Sequence, residues 1–283
     1  MKKKICFIVT SPLVANAFLP HHISVLKTKF DVYVVTNFTD SLTTLSLPQL
    51  EPNHSHHIQI ERNIQVINDV KALLSLRRYF KQMEFTVVHS ITPKAGLLSM
   101  IAARMAGIKN RVHIFTGQVW FTKTGLMQRF LMLIDKVIVK FATHILVDGE
   151  SQRQFLIEKG IIKPANSRVF GKGSISGVEI SRFNPDPSVR KKIRGELALT
   201  DDQVVFCFLG RINKDKGVLD LANAFKELIK HYSNARLLMV GYDEGNLLPQ
   251  IQEIIGNDQS LIIYGPTSKP ELTLQGADVL CLP

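Results

Sequence analysis

The sequence contains little cysteine. Its 283 residues include only three, and each lies inside an apolar run far from the other two: Cys6, Cys207 and Cys281. Isolated thiols in apolar runs are typical of buried cysteines in a reducing compartment, since disulfide frameworks and zinc sites need paired or closely spaced residues. The cysteines therefore predict neither a disulfide nor a zinc site.

Long apolar runs are also missing. A membrane-spanning helix needs about 18 to 20 predominantly apolar residues, and residues 131–142 are interrupted by Asp135, Lys136 and Lys140. We therefore do not expect an integral membrane protein. Three lysines at residues 2–4, followed by an apolar run, resemble a signal peptide, but the run at 5–10 is short for its apolar core. We interpret residues 5–10 as a first strand.

Acidic residues are scarce in one part of the chain. Residues 1–175 contain 23 Lys+Arg and 10 Asp+Glu, a net charge of +13, whereas residues 176–283 contain 12 and 14, a net charge of −2. A basic half suits an anionic membrane surface or a nucleic acid. No helix-turn-helix or RNA-binding strand motif is recognisable, and Trp120 is the only tryptophan. We therefore do not expect a nucleic acid as a partner.

Short β-branched runs alternate with helical patterns along the chain. Strands are predicted at residues 5–10, 31–36, 86–90, 111–115, 144–148, 204–210, 235–240, 260–264 and 277–282. Helices are predicted at residues 23–29, 68–83, 94–106, 126–141, 151–158, 218–231, 247–255 and 269–275. Nearly continuous apolar strands that alternate with helices predict parallel sheets covered on both faces. The predicted fold is α/β, with two Rossmann-like doubly wound domains.

Glycine and proline interrupt every periodicity between residues 171 and 200. We therefore predict an N-terminal domain at residues 1–172, an interdomain linker at 173–200 and a C-terminal domain at 201–283. The second domain offers four strands, and the chain ends directly after an apolar strand that would ordinarily lead into a loop and a helix. From this pattern we expect the second domain to be incomplete.

A basic loop follows the first strand of the second domain. It reads Gly210-Arg211-Ile212-Asn213-Lys214-Asp215-Lys216-Gly217, and a helix is predicted from Val218. The carboxyl end of a parallel strand next to a helix N-terminus favours anions, because free N–H groups and the helix dipole meet there. The cations of Arg211 and Lys216 suit a diphosphate; a solvated surface loop is the alternative. The sequence has neither GxGxxG nor a Walker pattern, which disfavours dinucleotide and P-loop chemistry.

Several short stretches together resemble, in order and spacing, the large bacterial family of retaining glycosyltransferases with the GT-B fold, glycosyltransferase family four. They are residues 92–96, residues 115–120, residues 173–178, Gly210-Arg211 with Lys216-Gly217, and residues 264–266 leading to 277–279. The resemblance covers essentially the whole chain. It implies transfer of a hexosyl or N-acetylhexosaminyl group from a nucleotide-diphosphate sugar, with Arg211 and Lys216 as the catalytic cations that hold the diphosphate.

The resemblance also implies a set of donor-binding residues: Gly210, Arg211, Lys216, Gly217, Tyr264, Gly265 and Pro266. It implies no cofactor, no metal and no side-chain nucleophile, because in this family the departing phosphate is thought to help deprotonate the incoming hydroxyl. The protein then mainly stabilises charge on the leaving group and aligns the two substrates. The family's two donor-binding glutamates would follow Pro283 and are absent from the sequence.

The first domain is expected to hold the acceptor through Lys94, Thr116, Gly117 and Gln118. Many relatives have a histidine at the position of Thr116, so that imidazole's role does not carry over; a hydroxyl can still donate one hydrogen bond. Lys94 either contacts an acceptor phosphate at a helix N-terminus or belongs to a simple helix start. His113 lies within a strand and is expected to be a core residue.

The predicted helices at 68–83 and 126–141 combine lysine and arginine with large apolar residues. In a domain of net charge +13, this composition suits peripheral attachment to an anionic membrane; the alternative is that both helices simply cover a sheet. Attachment at the cytoplasmic face also suits a polyprenyl-diphosphate-linked acceptor, as the resemblance implies. The histidine cluster at residues 54–57 lacks further ligands at metal spacing, and we interpret it as a solvated loop.

The leading hypothesis is therefore a glycosyltransferase that transfers a sugar from a nucleotide-diphosphate donor to a lipid-linked saccharide in bacterial surface polysaccharide synthesis. One alternative is a sugar-nucleotide epimerase of the same fold, which needs neither an acceptor nor a membrane. A second is a truncated binding protein without activity.

Overall fold

Strands and helices alternate along the chain in the computed structural model, which describes residues 2–39, 44–61, 64–256 and 259–283. Two compact units form, Met1–Gly177 and Val178–Pro283, and each contains its own parallel sheet. The predicted α/β class with two Rossmann-like domains is confirmed. Strands that are covered by helices on both faces have no solvent-exposed face, which explains their nearly continuous apolar sequences.

The first unit is built on seven described strands, all paired in parallel, in the order β3-β2-β1-β4-β5-β6-β7. Their bounds are β1 Lys3–Ile8, β2 Phe30–Thr36, β3 Ser55–His57, β4 Val87–Ile91, β5 Asn110–Phe115, β6 His144–Val147 and β7 Ser167–Val169. The strand order reverses between β1 and β4. Ligands of open parallel sheets bind at the carboxyl edge near such a reversal.

Helices cover both faces of the first sheet. Their bounds are α1 Pro12–Phe18, α2 Pro20–Leu26, α3 Val66–Met83, α4 Pro93–Met105, α5 Gly125–Phe141 and α6 Glu150–Glu158. Buried side chains of α3, α4 and α5 form one core cluster, and those of α1 and α2 belong to a second cluster that contains Phe7 and Ile91. No helix among the described residues is long and apolar enough to cross a membrane.

The second unit has four described strands in the order β10-β9-β8-β11, again all parallel. Its elements are α7 Pro187–Glu196, β8 Val204–Leu209, α8 Val218–Ile229, β9 Ala235–Val240, α9 Leu248–Ile255, β10 Leu261–Gly265, α10 Pro270–Thr273 and β11 Val279–Cys281. The order reverses at β8, which has β9 on one side and β11 on the other. The loop after β8 therefore lies at the reversal.

The histidine cluster was wrongly interpreted as a solvated loop. Residues Ser55–His57 form β3, the edge strand of the first sheet. The His54 ring stacks on Tyr33 with 3.9 Å between ring centroids, and the His56 ring stacks on Tyr79 at 4.0 Å. Because the residues of this edge strand are polar and partly exposed to solvent, the sequence showed no apolar run that would indicate a strand.

The segment expected to be a linker at 173–200 contains a helix. Asp186 caps the N-terminus of α7, since its carboxylate accepts the Ser188 and Val189 N–H groups. Arg194 of α7 is buried and donates to the Gly276 carbonyl over 3.1 Å and the Gln203 carbonyl over 2.8 Å. The expected linker from Val178 onward is thus part of the second unit.

Other differences are confined to short elements and boundaries. The helix expected at 23–29 is α2, which begins at Pro20 because proline is favoured in the first helical turn, where its missing N–H is not needed. Helix α1, also started by a proline, and the three-residue strand β7 were not predicted. Strand β1 begins and ends two residues earlier than expected, at Lys3 and Ile8.

A glycine permits helix α4 to pack directly on a buried histidine. An ideal Cβ at Gly96 would lie 2.5 Å from Cε1 of His113. The His113 ring is buried, its Nδ1 lies 2.8 Å from Ser90 Oγ, and burial, with a smaller effect of His89, lowers its pKa to about 3. His113 is thus a neutral core residue, as expected, and Gly96 is where the helix crosses it.

We expect Gly96→Ala to destabilise the protein by about 1–3 kcal/mol, because the added methyl overlaps the buried ring of His113, which a hydrogen bond holds beside Ser90. The matched control is Gly195→Ala, at an exposed position of α7 where a Cβ would meet nothing within 4 Å. Alanine there should stabilise by about 0.5–1 kcal/mol, since it favours the helix. Urea unfolding measures both, and equal effects would contradict the close contact.

Candidate functional site

The loop between β8 and α8 lies at the carboxyl edge of the second sheet. It continues beside the end of β9, where the Gly210 N–H donates to the Val240 carbonyl over 2.9 Å and the Ile212 N–H donates to the Tyr242 carbonyl over 2.9 Å. Two backbone hydrogen bonds thus fix the path of the loop before and after Arg211.

A second glycine allows this path. An ideal Cβ at Gly241 would lie only 1.8 Å from the Gly210 carbonyl oxygen, and Gly241 has φ +149°. No L-residue side chain fits into such a contact. The loops after β8 and β9 therefore pack backbone against backbone.

Arg211 is held by an acidic residue of the neighbouring loop. Its Nη1 donates to both carboxylate oxygens of Glu244, over 3.0 and 2.8 Å, and Asn213 Nδ2 donates to the same carboxylate over 2.7 Å. Asn213 Oδ1 is buried and has no hydrogen-bond partner. Sequence reasoning found Arg211 but missed Glu244, because 33 residues separate them and Glu244 follows no pattern of its own.

Lys216 and Gly217 form the turn that leads into α8. Lys214–Lys216 is a single 3-10 turn, and Gly217 adopts φ +65° before the helix begins at Val218. An ideal Cβ at Gly217 would lie 3.0 Å from Pro283, which follows β11. The exposed Lys216 side chain thus lies where the strand order of the second sheet reverses, beside the N-terminus of the 12-residue helix α8.

The other predicted donor residues follow β10 at the same sheet edge. The Gly241 N–H donates to the Gly265 carbonyl over 2.9 Å, which links the β10 end to the loop after β9. Tyr264 and Pro266 are exposed. Since neighbouring strands lie about 4.8 Å apart, the β8 and β10 ends are about 10 Å apart. The donor residues predicted from sequence therefore lie along one edge of one sheet, and their role stays a prediction.

In the first unit, Lys94 lies in the first turn of α4 and pairs with an acid. Its Nζ lies 2.6 Å from Asp69 Oδ1 of α3. Pro93 occupies the first helical turn, and Thr92 precedes it with φ +74° and a buried Oγ1 that has no hydrogen-bond partner. The ion pair and the proline describe a helix start that is well anchored to α3. Contact of Lys94 with an acceptor phosphate stays a prediction.

Thr116, Gly117 and Gln118 follow β5 at the carboxyl edge of the first sheet. Gln118 Oε1 accepts a hydrogen bond from Gln152 Nε2 over 3.3 Å, and Gln152 Oε1 accepts one from the Asp148 N–H over 2.8 Å. Gln118 Nε2 and Asp148 Oδ1 are buried without a hydrogen-bond partner. Buried polar atoms are rarely left unpaired, so they mark a place where a polar ligand would complete the hydrogen bonding.

Asp148 and Gln152 were missed by sequence reasoning. Burial raises the pKa of Asp148, although a hydrogen bond from the Ile175 backbone partly offsets the rise. The usable signal was the position of Asp148, at the end of the strand predicted at 144–148, where parallel sheets present ligand-binding residues. Gln152 lies in the first turn of α6, and only the folded chain shows that it bridges Gln118 and Asp148.

The loop after Gln118 is anchored by a buried pair. Trp120 Nε1 donates to Asp135 Oδ2 over 2.7 Å, and the indole stacks on Phe155 at 5.4 Å. Burial raises the pKa of Asp135 to about 6, which the hydrogen bond from Trp120 only partly counteracts. Asp135 therefore fastens α5 to the loop that follows Gln118 and is not merely an interruption of an apolar run.

No group of three or more His, Cys, Asp or Glu side chains within the described ranges could hold a metal ion. The thiols of Cys6 and Cys207 are buried, and Cys281 is partly exposed.

Comparison with known proteins identifies two family models along the chain. Residues 28–173 match the glycosyl transferase 4-like domain, and residues 189–283 match glycosyl transferases group 1. A capsular polysaccharide biosynthesis glycosyltransferase, CapM of Staphylococcus aureus, is 30% identical over 76% of this chain and 55% of its own length.

A second curated relative is the UDP-Gal:alpha-D-GlcNAc-diphosphoundecaprenol alpha-1,3-galactosyltransferase of Escherichia coli. It is 26% identical over 78% of this chain and 58% of its own length. The chain thus spans little more than half the length of these two relatives. Among solved structures, HepE of Anabaena in complex with UDP and glucose shares the fold with a TM-score of 0.73 at 16% identity, over 98% of this chain and 73% of its own.

We expect Asp135→Asn to make stability less dependent on pH. Because the folded-state pKa of Asp135 is raised to about 6, its favourable contribution is fully present below the unfolded-state pKa of about 4 and is lost as the pH rises through 6. The amide keeps an acceptor for Trp120 without a charge. The variant should therefore exceed the wild type by roughly 1–3 kcal/mol at pH 7.5.

Urea unfolding at pH 4 and pH 7.5 measures this difference. At pH 4 the advantage of Asp135→Asn over the wild type should largely disappear. A wild type that gains stability relative to the variant as the pH rises would show that the carboxylate is stabilised in its charged form, against this assignment.

Proposed function

Because the chain belongs to the glycosyltransferases that carry a glycosyl transferase 4-like domain and a glycosyl transferases group 1 domain, we propose that it is a retaining glycosyltransferase. It transfers a hexosyl or N-acetylhexosaminyl group from a nucleotide-diphosphate sugar to a lipid-linked saccharide during bacterial surface polysaccharide synthesis. The observation that carries this proposal is the position of Arg211 and Lys216 on one loop at the reversal of the second sheet.

Arg211 and Lys216 bind the donor diphosphate in this proposal. Both hydrogen bonds from Arg211 to Glu244 use Nη1, so the guanidinium can direct its remaining N–H groups to a phosphate. The N-terminus of α8 adds the positive end of its dipole at the same place. HepE, which shares the fold, binds UDP and glucose, and this agrees with a nucleotide-diphosphate sugar as the donor.

The same groups stabilise the transition state. When the glycosidic bond to the phosphate breaks, negative charge grows on the leaving diphosphate, and fixed cations lower the energy of that state without reorganising. The departing phosphate accepts the proton of the incoming hydroxyl, so no side-chain nucleophile is required. Arg211 is well suited because Glu244 and Asn213 already hold its loop in place.

The acceptor binds at the carboxyl edge of the first sheet. Gln118 Nε2 and Asp148 Oδ1 offer one donor and one acceptor that the protein leaves unpaired, and sugar hydroxyls supply both partners. Thr116 and Gly117 lie in the same loop as Gln118. Lys94, at the start of α4, gives up its ion pair with Asp69 and binds a phosphate of the acceptor instead. The galactosyltransferase relative is named for a diphosphoundecaprenol-linked acceptor, which supports a polyprenyl diphosphate carrier.

Such an acceptor places the first domain at the cytoplasmic face of a membrane. Helix α5 exposes a surface of four large apolar residues, Leu126, Met127, Phe130 and Leu133, beside the basic residues Arg129, Lys136 and Lys140. Apolar side chains that enter the interface and cations that meet anionic headgroups are the two requirements for peripheral attachment. We name this the α5 surface.

We expect Lys216→Met to weaken the binding of UDP by about 10- to 100-fold, because a charge-assisted hydrogen bond contributes about 1.5–3 kcal/mol. The matched control is Lys214→Met, which removes an exposed lysine from the same 3-10 turn and should change affinity by less than about threefold. Isothermal titration calorimetry with UDP measures both. Equal losses of UDP affinity in the two variants would show that the loop attracts UDP only through its overall positive charge.

A transfer assay separates the proposed function from its alternatives. Incubation of the chain with UDP-sugars and a polyprenyl-diphosphate-linked saccharide should give a lengthened acceptor. Conversion of the donor without any acceptor would indicate an epimerase. Binding of UDP without transfer to any lipid-linked saccharide would indicate a binding protein.

We expect Phe130→Ser/Leu133→Ser to reduce binding to anionic vesicles by at least about tenfold, since each buried apolar side chain contributes about 1.5–3 kcal/mol. The control pair, Leu13→Ser/Val25→Ser, changes residues of similar exposure on α1 and α2: 50% and 56%, against 48% and 57% for Phe130 and Leu133. Vesicle flotation measures the bound fraction. A similar loss in both pairs would contradict attachment through the α5 surface.

A further inference from the structure

The first domain contains a groove that the proposed catalytic chemistry does not use. A space of about 450 Å³ lies between the edge strand β3 and helix α3. Strand β3 is separated from β5 by three strands, which places the groove about 19 Å from the turn of Thr116–Gln118 across the sheet. It is thus distinct from the acceptor edge. We name it the β3–α3 groove.

The lining of the groove favours an anion. Lys71 and Arg78 both line it, and because they are seven residues apart on α3 they lie on one side of the helix, about 10 Å apart along its axis. Amide and hydroxyl groups line the space between and beside them: Gln59, Asn68, Ser75 and Gln82. None of the described residues that line the groove is Asp or Glu. Cations and neutral donors with no carboxylate suit a ligand with several anionic oxygens.

The histidines form the other wall. Burial, with a smaller effect of His57, lowers the pKa of His56, so its ring is neutral at pH 7 and stacks flat on Tyr79. His57 Nδ1 accepts the Phe38 N–H over 3.1 Å, which leaves Nε2 as the protonated ring nitrogen of the neutral form. This wall therefore contributes stacked rings and an N–H donor, and Lys71 and Arg78 of α3 contribute cationic side chains to the groove.

The outer side of α3 indicates where the anion comes from. Ile67, Val70 and Leu74 are each at least half exposed and lie on the same side of the helix as Lys71 and Arg78. Exposed apolar neighbours would contribute nothing to the binding of a free anion from water. A helix that carries both kinds of side chain on its wet side is suited to the boundary between headgroups and acyl chains.

Helices α3 and α5 also cover the same face of the first sheet, because buried residues of both belong to one core cluster, among them Leu76 and Ile138. The β3–α3 groove and the α5 surface therefore belong to the same side of the first domain. A membrane that contacts the α5 surface can reach the groove as well.

We propose that the β3–α3 groove binds the phosphate headgroup of an anionic phospholipid. The cations of Lys71 and Arg78 hold the phosphate, the neutral polar side chains bind the headgroup alcohol, and Ile67, Val70 and Leu74 contact the acyl chains. The proposal rests on the proposed function only in so far as the latter brings the first domain to a membrane. It adds a headgroup site that selects phosphate over other negative charges.

The test compares two kinds of vesicle with the same surface charge, one containing phosphatidylglycerol and the other a fatty acid carboxylate. The wild-type chain should bind the phosphatidylglycerol vesicles at least about fivefold more tightly, since a built phosphate site adds to the unspecific attraction. Lys71→Gln/Arg78→Gln should lose this preference. The control Lys81→Gln/Lys109→Gln removes the same charge from exposed positions of the first domain outside the groove and should keep it.

A second variant removes the cavity without changing the charge. Ser75→Trp, on the exposed side of α3, fills the groove with an indole and should also abolish the preference for phosphatidylglycerol. Helical circular dichroism at wild-type intensity shows that the fold is kept. A preference that survives in both Ser75→Trp and Lys71→Gln/Arg78→Gln would overturn the proposal.

Two further results would each refute a phospholipid site in the groove. Equal binding of the wild type to both vesicles, together with a loss in Phe130→Ser/Leu133→Ser, would leave membrane attachment intact and refute the groove site alone. Glycerol 3-phosphate is the soluble probe. If it shifted the NMR signals of His56 and His57 to saturation while the chain kept its full preference for phosphatidylglycerol vesicles, the groove would be a site for soluble phosphate esters, and the lipid assignment would be wrong.

Discussion

The contact between Gly241 and the Gly210 carbonyl determines the geometry of the candidate donor site. With 1.8 Å between that oxygen and an ideal Cβ, only glycine lets the loops after β8 and β9 run together. This approach brings Glu244 to Arg211 across 33 residues of sequence. A diphosphate that reaches Arg211 must therefore share the guanidinium with a carboxylate, and its affinity reflects the difference between those two interactions, not the full strength of one.

A glycine also permits a close backbone contact at the carboxyl edge of the first sheet. An ideal Cβ at Gly173 would lie 2.5 Å from the Asp148 carbonyl oxygen, and the Ser174 N–H donates to that oxygen over 2.6 Å. The backbone after β7 thus closes over the end of β6 and helps to bury the Asp148 carboxyl group. Because the burial raises the pKa of that group, a ligand hydroxyl that donates to Asp148 Oδ1 would gain more there than in water.

The sequence predicts those features that depend on local pattern and fails where distant residues meet. Strands such as β8 and β9 have buried apolar runs, so their positions and parallel pairing could be anticipated. Strand β3 could not, since Ser55–His57 is polar and becomes a strand only by pairing with β2. Arg211 and Lys216 were recognisable from their loop, whereas Glu244, Gln152 and the unpaired atoms of Gln118 and Asp148 emerge only from tertiary contacts.

The arrangement of helices in the first domain shows where the excess positive charge of residues 1–175 lies. A net charge of +13 over residues 1–175 would be excessive for solubility alone, because self-repulsion opposes folding. On α3 and α5 the cations accompany exposed apolar residues on one face of the sheet, and α1 and α2 cover the opposite face. In the proposed attachment the helical face contacts the membrane, and the carboxyl edge, with Gln118 and Asp148, stays uncovered. A headgroup projecting from the membrane surface can then reach that edge without the protein having to release its lipid contacts.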